Sequence, residues 1–282
     1  MKDTTFYKKQ HINCGGKLLD LSTPKVMAIV NLTPDSFYDG GKIDSEKSLL
    51  KTCEKHLADG ASILDLGGQS TRPGAVKIST ETEISRVLPA IESIIKEFPQ
   101  SIISIDTYHA SVAQKAVESG AKIINDISAG TLDINMIKTV LELKVPYIAS
   151  HIQGNPVTMQ ENPKYNDITT DVYQSLSKTK NELFQKGFND LLIDPGFGFG
   201  KTTDQNFELL NNLDHFKNLG LPILVGLSRK SMIWKTLKSN PQDALNGTTS
   251  LNTIALLKGA AILRVHDVKE AMETITLCNN LH

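Results

Sequence analysis

Residues 191–201, LLIDPGFGFGK, decide how the rest of the chain is read. Residues 191–193 form a short apolar run, long enough to end a buried strand, and Asp194 follows at once. Pro195 biases Asp194 toward an extended backbone. Gly196, Gly198 and Gly200 then alternate with Phe197 and Phe199 before Lys201. A strand that delivers a carboxylate to its C-terminal end, then a loop with a glycine at every second position, is how α/β proteins build a site. The alternating glycines do not match the dinucleotide fingerprint. Alone, the segment is also compatible with a helix cap and a plain turn; the recurrence of its plan along the chain favours a site.

Working outward, apolar strand-like runs recur at 26–32, 62–66, 102–105, 122–127, 146–152, 222–227 and 261–265. Between them lie helix-like stretches near 44–59, 80–98, 110–119, 133–143, 167–186, 204–218, 230–238, 247–258 and 269–278. Gly60, Gly120, Gly187 and Gly220 read as C-terminal stops, and Thr80 with Glu83 reads as a capping box. Near-continuous apolar strands are typical of parallel strands covered on both faces. Eight β/α units in one run predict a single closed (β/α)8 barrel, with an open doubly wound sheet as the alternative. One domain is expected over 1–282, in which residues 1–25 form a short extension that closes the barrel bottom.

Composition agrees with this reading and narrows the partners. At 282 residues, 40% hydrophobic and 22% charged, the chain falls among ordinary soluble globular proteins. A net charge of −1 argues against a general nucleic-acid or acidic-membrane binder. Cys14, Cys53 and Cys278 are far apart, show no metal spacing and suit a reducing cytoplasm. No membrane-length apolar run and no N-terminal hydrophobic signal core are present, so a cytoplasmic protein is expected.

In such a barrel the active site lies at the C-terminal mouth. There the strand ends supply Asn31; Thr71 and Arg72; Asp106; Asn125 and Asp126; His151 and Gln153; Asp194; Ser228, Arg229 and Lys230; and Arg264, His266 and Asp267. Capping preferences explain some of these, but not three arginines, a lysine and a histidine at one mouth. Asp106, Asn125, Asp194 and Lys230 form one subset, complementary to a flat heterocycle with an amino-pyrimidinone edge. A buried Asp194–Lys230 ion pair that only fixes the barrel is the structural alternative. Arg72, Arg264 and His266 with Asn31 form a second, cationic subset suited to phosphate. Asn31 could offer an oxygen to a magnesium ion held mainly by water and substrate phosphates.

The segments MAIVNLTPDSFYDGG, DLGGQSTRPGA, SIDTY, NDIS, HIQGNP, DPGFGFGK, GLSRKS and RVHD, in this order over about 26–270, closely resemble the dihydropteroate synthase family. The resemblance implies condensation of 6-hydroxymethyl-7,8-dihydropterin diphosphate with p-aminobenzoate to 7,8-dihydropteroate and diphosphate, in folate synthesis, with Mg2+. It puts pterin binding on Asp106, Asn125, Asp194, Lys230 and Arg264. Diphosphate falls to Asn31, Thr71, Arg72, Arg264 and His266, with Asn31 toward the metal. The p-aminobenzoate pocket falls to Phe37, Thr71, Pro73, Phe199 and Ser231. It implies catalytic roles for Asp106, Lys230, Arg264 and Asp35, and loops bearing Asp35, Phe37, Thr71, Arg72 and Pro73 that close over the reaction. It also implies sulfonamides as ligands and a homodimer. Ile152 and Tyr38 depart from the family's commoner Met and Ser. A pterin-binding protein without catalysis, and a methyltetrahydrofolate-using methyltransferase on a related barrel, are the rival functions.

Overall fold

A computed structural model describes residues 9–32, 42–70 and 77–281. The strands are β1 (His11–Cys14), β2 (Lys17–Asp20), β3 (Lys25–Asn31), β4 (Ile63–Gly67), β5 (Ile103–Asp106), β6 (Ile123–Asp126), β7 (Tyr147–Ser150), β8 (Leu191–Asp194), β9 (Ile223–Val225) and β10 (Ala260–Val265). Helices α1 (Lys42–Ala58), α2 (Thr80–Glu97), α3 (Ala110–Glu118), α4 (Met136–Leu143), α5 (Ile168–Gln185), α6 (Thr203–Asn211), α7 (Ser231–Thr236), α8 (Leu245–Leu257) and α9 (Val268–Asn279) lie between and after the barrel strands. Strands β3 to β10 are parallel and close into a barrel, β10 pairing with both β9 and β3. The expected (β/α)8 barrel is the observed architecture.

The two-residue period of a strand sorts the interior. Met27, Ile63, Ile102, Ile123, Ile148, Leu192, Leu224 and Ile262 point inward and form one apolar layer. Every barrel strand contributes to it, Ile102 from the residue just before β5. The antiparallel β1–β2 hairpin lays Ile12 and Cys14, with Leu21 just after it, against this layer, so the barrel bottom is plugged. The alternate positions, such as Val26, Leu64, Ile103, Ile124, Leu191 and Leu263, face outward into the larger cluster under the helices. One inward step further the side chains turn polar on six strands, at Asp65, Ser104, Asn125, Ser150, Asp194 and Arg264; β3 turns polar two steps on, at Asn31, and β9 reaches Gly226. The same alternation therefore builds a dry floor and a polar layer above it.

Two local expectations are corrected. Ser79, not Thr80, caps α2: it keeps an extended backbone (φ −74°, ψ 157°) and its hydroxyl accepts from the Thr82 N–H at 3.2 Å. Thr80 and Glu83 thus lie inside the first turn, and Glu83 bonds His109 instead of closing a capping box. The helix expected over 204–218 stops at Asn211 and continues as a 3-10 helix, Leu213–Leu219. Leu213, Phe216 and Leu219 are buried there, and a spacing of three aligns them on one face only at 3-10 pitch. Helix α6 opens on a capping box made by Thr202 and Gln205. Among the described residues no helix is long and apolar enough to cross a membrane.

Two left-handed glycines test how tightly the barrel is built. At Gly196 (φ 73°) an added Cβ would sit inside the His151 carbonyl oxygen, whereas at Gly187 (φ 78°) it would meet nothing within 4 Å. Gly187→Ala is therefore expected to cost only backbone strain, about 1–2 kcal/mol. Gly196→Ala adds a clash with main chain and should cost more than about 3 kcal/mol. Urea unfolding midpoints measure both, and equal losses would show that the loop after β8 yields freely.

Candidate active site

The polar layer converges on Arg264. From β10 its Nε donates to Asp65 Oδ2 at 2.6 Å and its Nη2 to Asp106 Oδ2 at 2.7 Å. Asn125 Nδ2 donates to the same Asp65 oxygen at 3.1 Å. Asn31, Gly67, Asp106 and Asn125 are successive register partners across β3, β4, β5 and β6, so they share one rung at the mouth. Asp65 is fully buried, and Oδ1 of both Asp65 and Asp106 has no hydrogen-bond partner among the described residues. Burial raises the Asp106 carboxyl well above the usual range, Arg264 opposes this, and Asp65 adds to it. Burial pulls Arg264 down, but Asp65 and Asp106 outweigh it and hold the guanidinium above its ordinary value.

The opposite wall is the loop after β8. Asp194 Oδ1 accepts from the Gly196 N–H at 2.8 Å, and Oδ2 from Ser150 Oγ at 3.4 Å. Lys230 donates to the Phe197 carbonyl and its ammonium stands 4.6 Å from the Phe199 ring centre. Lys230 and Asp194 do not form a direct ion pair; they interact across the pocket, each shifting the other's titration. The alternative of a pair that merely locks the barrel is thereby set aside. Burial raises Asp194, and burial lowers Lys230 to about 8.

Behind this wall lies a buried cation that the sequence alone did not single out. Lys201 Nζ bonds Gly196 O at 2.8 Å, His151 Nδ1 at 3.0 Å, Phe199 O at 3.1 Å and His151 O at 3.3 Å. Burial brings Lys201 down to about 7, and burial with Lys201 beside it brings His151 down to about 3. His151 is therefore a neutral acceptor that supports the loop rather than a mouth-facing base.

Four strand-end residues turn away from the mouth. Asp126 has outward parity and is spent on Ser128, Gly130 and Tyr147. Arg229 forks onto both oxygens of Asp267, at 2.8 and 2.9 Å, and onto the Pro241 and Gln242 carbonyls. The expected cluster of three arginines thus loses Arg229, and Asp267 goes with it. Gln153 bonds the Lys164 main chain in both directions. His266 stays beside the site, with Nδ1 3.0 Å from Ser228 Oγ. Phe199 is partly exposed and Ser231 is exposed at the start of α7. Asp35, Phe37, Tyr38, Thr71, Arg72 and Pro73 lie outside the described residues.

The most informative residue missed from sequence is Asp65. It sits inside the apolar run ILDLG and not at its end. Its signal was parity: two residues beyond inward-facing Ile63, it had to face the interior.

The arrangement can bind a small polar heterocycle at a carboxylate-rich floor and an anion toward the guanidinium and histidine. Comparison with known proteins points the same way. The pterin binding enzyme family matches residues 27–266. Dihydropteroate synthase of Escherichia coli (strain K12) is 44% identical over 262 residues, covering 92% of each chain. The Yersinia pestis dihydropteroate synthase in a sulfonamide drug complex superposes with TM-score 0.90 at 38% identity, covering 96% of this chain and 98% of that one. The Xanthomonas albilineans dihydropteroate synthase in complex with 7,8-dihydropteroate gives TM-score 0.85 at 34% identity, with the same coverage.

The lowered pKa of Lys230 is directly measurable. Because burial disfavours the ammonium, the neutral amine should predominate above about pH 8. Competitive labelling with an amine-specific reagent, read by mass spectrometry, should give Lys230 a reactivity midpoint near that value, while a free lysine peptide added as internal standard keeps rising toward about pH 10. A Lys230 profile that tracks the standard would contradict this electrostatic picture.

Proposed function

Because the chain belongs to the dihydropteroate synthases, a family of pterin binding enzymes, we propose that its reaction runs by dissociation over the floor of the barrel. It is a transferase that condenses 6-hydroxymethyl-7,8-dihydropterin diphosphate with p-aminobenzoate, releasing 7,8-dihydropteroate and diphosphate in folate synthesis. The observation that carries the site assignment is the convergence of Asp106, Asn125, Asp194 and Lys230 around Arg264, from five separate β/α units.

In this reading Asp194 accepts two parallel hydrogen bonds from the amino-pyrimidinone edge, and Asn125 and Lys230 complete the pterin contacts. Arg264, His266 and Arg72 hold the diphosphate. The bond between the exocyclic methylene carbon and the diphosphate oxygen breaks first, and the leaving group takes the electron pair. The cation left behind is delocalised into the dihydropterin ring. Asp106, beside it, stabilises that charge through space, as a fixed anion in a dry site can. The arylamine nitrogen of p-aminobenzoate then forms the new C–N bond and loses a proton. Phe199 and Ser231 form the outer pocket for this second substrate, with Phe37, Thr71 and Pro73. The family resemblance assigns to Asp35, Phe37, Thr71, Arg72 and Pro73, which lie outside the described residues, the task of keeping water from the cation.

Magnesium fits the donor set as a companion of the diphosphate. Among the described residues no three His, Cys, Asp or Glu side chains group to hold a metal. That suits an ion carried mainly by substrate phosphates and water, with Asn31 as its protein ligand, and its chemistry would be to neutralise the leaving group. The reading extends to a homodimer in the cytoplasm. Exposed Leu237 just after α7, with Ile254 and Leu257 on α8 and Leu277 on α9, supports self-association, and three buried free cysteines support a reducing compartment.

Two measurements decide the proposal. Given the pterin diphosphate, the protein should release diphosphate rapidly with p-aminobenzoate present and slowly, by water capture of the cation, without it. No release under either condition would leave a binding protein. Asp194→Asn should weaken binding of 6-hydroxymethyl-7,8-dihydropterin by roughly 1.5–3 kcal/mol, the scale of a hydrogen bond to a charged group; unchanged affinity by calorimetry would move the pterin elsewhere.

A further inference from the structure

Asp65 touches no solvent and has no part in the steps above, yet its Oδ2 takes bonds from two site residues, Arg264 Nε at 2.6 Å and Asn125 Nδ2 at 3.1 Å. A guanidinium only donates, so this oxygen accepts and has no hydrogen to give. A carboxamide beside it must offer its NH2 end, because its oxygen there would meet a second lone pair. The orientation of Asn125 is thus dictated by chemistry and not by its own rotamer freedom. Its Oδ1 is turned away from Asp65 and receives no hydrogen bond from any described residue.

We propose that Asp65 is a positioning residue for pterin recognition: by taking the amide NH2 of Asn125, it presents the Asn125 carbonyl oxygen to the ligand. The floor then offers acceptors at Asn125 and Asp194, and the ligand edge facing them must carry N–H donors. The same carboxylate oxygen fixes Arg264 at Nε, which leaves its outer nitrogens to Asp106 and the substrate. Asp65 thereby sets the polarity of the floor without touching what binds there. This inference rests on the pterin reading of the site.

A double-mutant cycle on the full chain tests it, with calorimetric Kd for 6-hydroxymethyl-7,8-dihydropterin as readout. Asp65→Ala should raise Kd by 10- to 100-fold in the native background and by at least threefold less in the Asn125→Ala background, because the oriented group is then gone. Costs that multiply, or couple by less than threefold, overturn the inference. If the native protein does not bind the pterin, the site reading itself fails; binding that Asn125→Ala weakens, with uncoupled costs, sinks this inference alone. A second measurement leaves Asp65 intact, in case Asp65→Ala does not fold. On adding the pterin, the Asn125 side-chain NH2 protons should hold their NMR shifts while its carbonyl carbon moves. The opposite pattern means that the amide turns its donors to the ligand, and the proposal falls.

Discussion

One guanidinium shared by two buried carboxylates organises this protein. Withdrawing three charged groups from water costs several kcal/mol per ion, and close hydrogen-bonded geometry is what offsets it. Arg264 supplies that geometry at 2.6 and 2.7 Å from Asp65 and Asp106. Burial above all raises the Asp106 carboxyl, Arg264 opposes that rise, and Asp65 adds to it. Such a floor is poor for stability and well suited to a site, because buried carboxylates held in place favour positive charge or N–H donors above them.

The opposing wall solves a different problem, that of holding main chain rigid without bulk. Three left-handed glycines let the loop after β8 fold tightly, and one of them rests directly on the strand-end carbonyl of His151. Lys201 gathers carbonyls at this turn: Gly196, which also accepts from the Phe199 N–H, and Phe199 on the loop, with His151 on its neighbour. With that staple in place Phe199 becomes a fixed platform under the Lys230 ammonium. On the same loop the Gly196 N–H fixes Asp194 and the Phe197 carbonyl takes Lys230, so one rigid turn sets cation, ring and carboxylate together.

The barrel was legible because each strand is apolar on both faces and ends in a polar residue. Asp106, Asn125, Asp194, Lys230 and Arg264 were legible for the same reason. What a strand-end rule cannot see is direction. Asp126 and Asn125 are neighbours at the end of β6, yet one inward step separates a pocket residue from one spent on Tyr147. Asp65 escaped the rule because it lies within its strand, one rung below the mouth. Arg229 was misread because its partners, Asp267 and two carbonyls beyond α7, are distant in sequence. Ser79 and the 3-10 turn after α6 were boundary matters that depend on where the backbone actually bends. Counting parity from one inward apolar residue in each strand would have recovered Asp65 and excluded Asp126.

The hairpin before β3 has a consequence for access. With Ile12, Cys14 and Leu21 seated on an apolar layer drawn from all eight barrel strands, the described residues close the lower end with dry packing. The carboxylate floor is therefore approached from the C-terminal ends of the strands, and a plug at one end of the molecule leaves the other end to do the receiving.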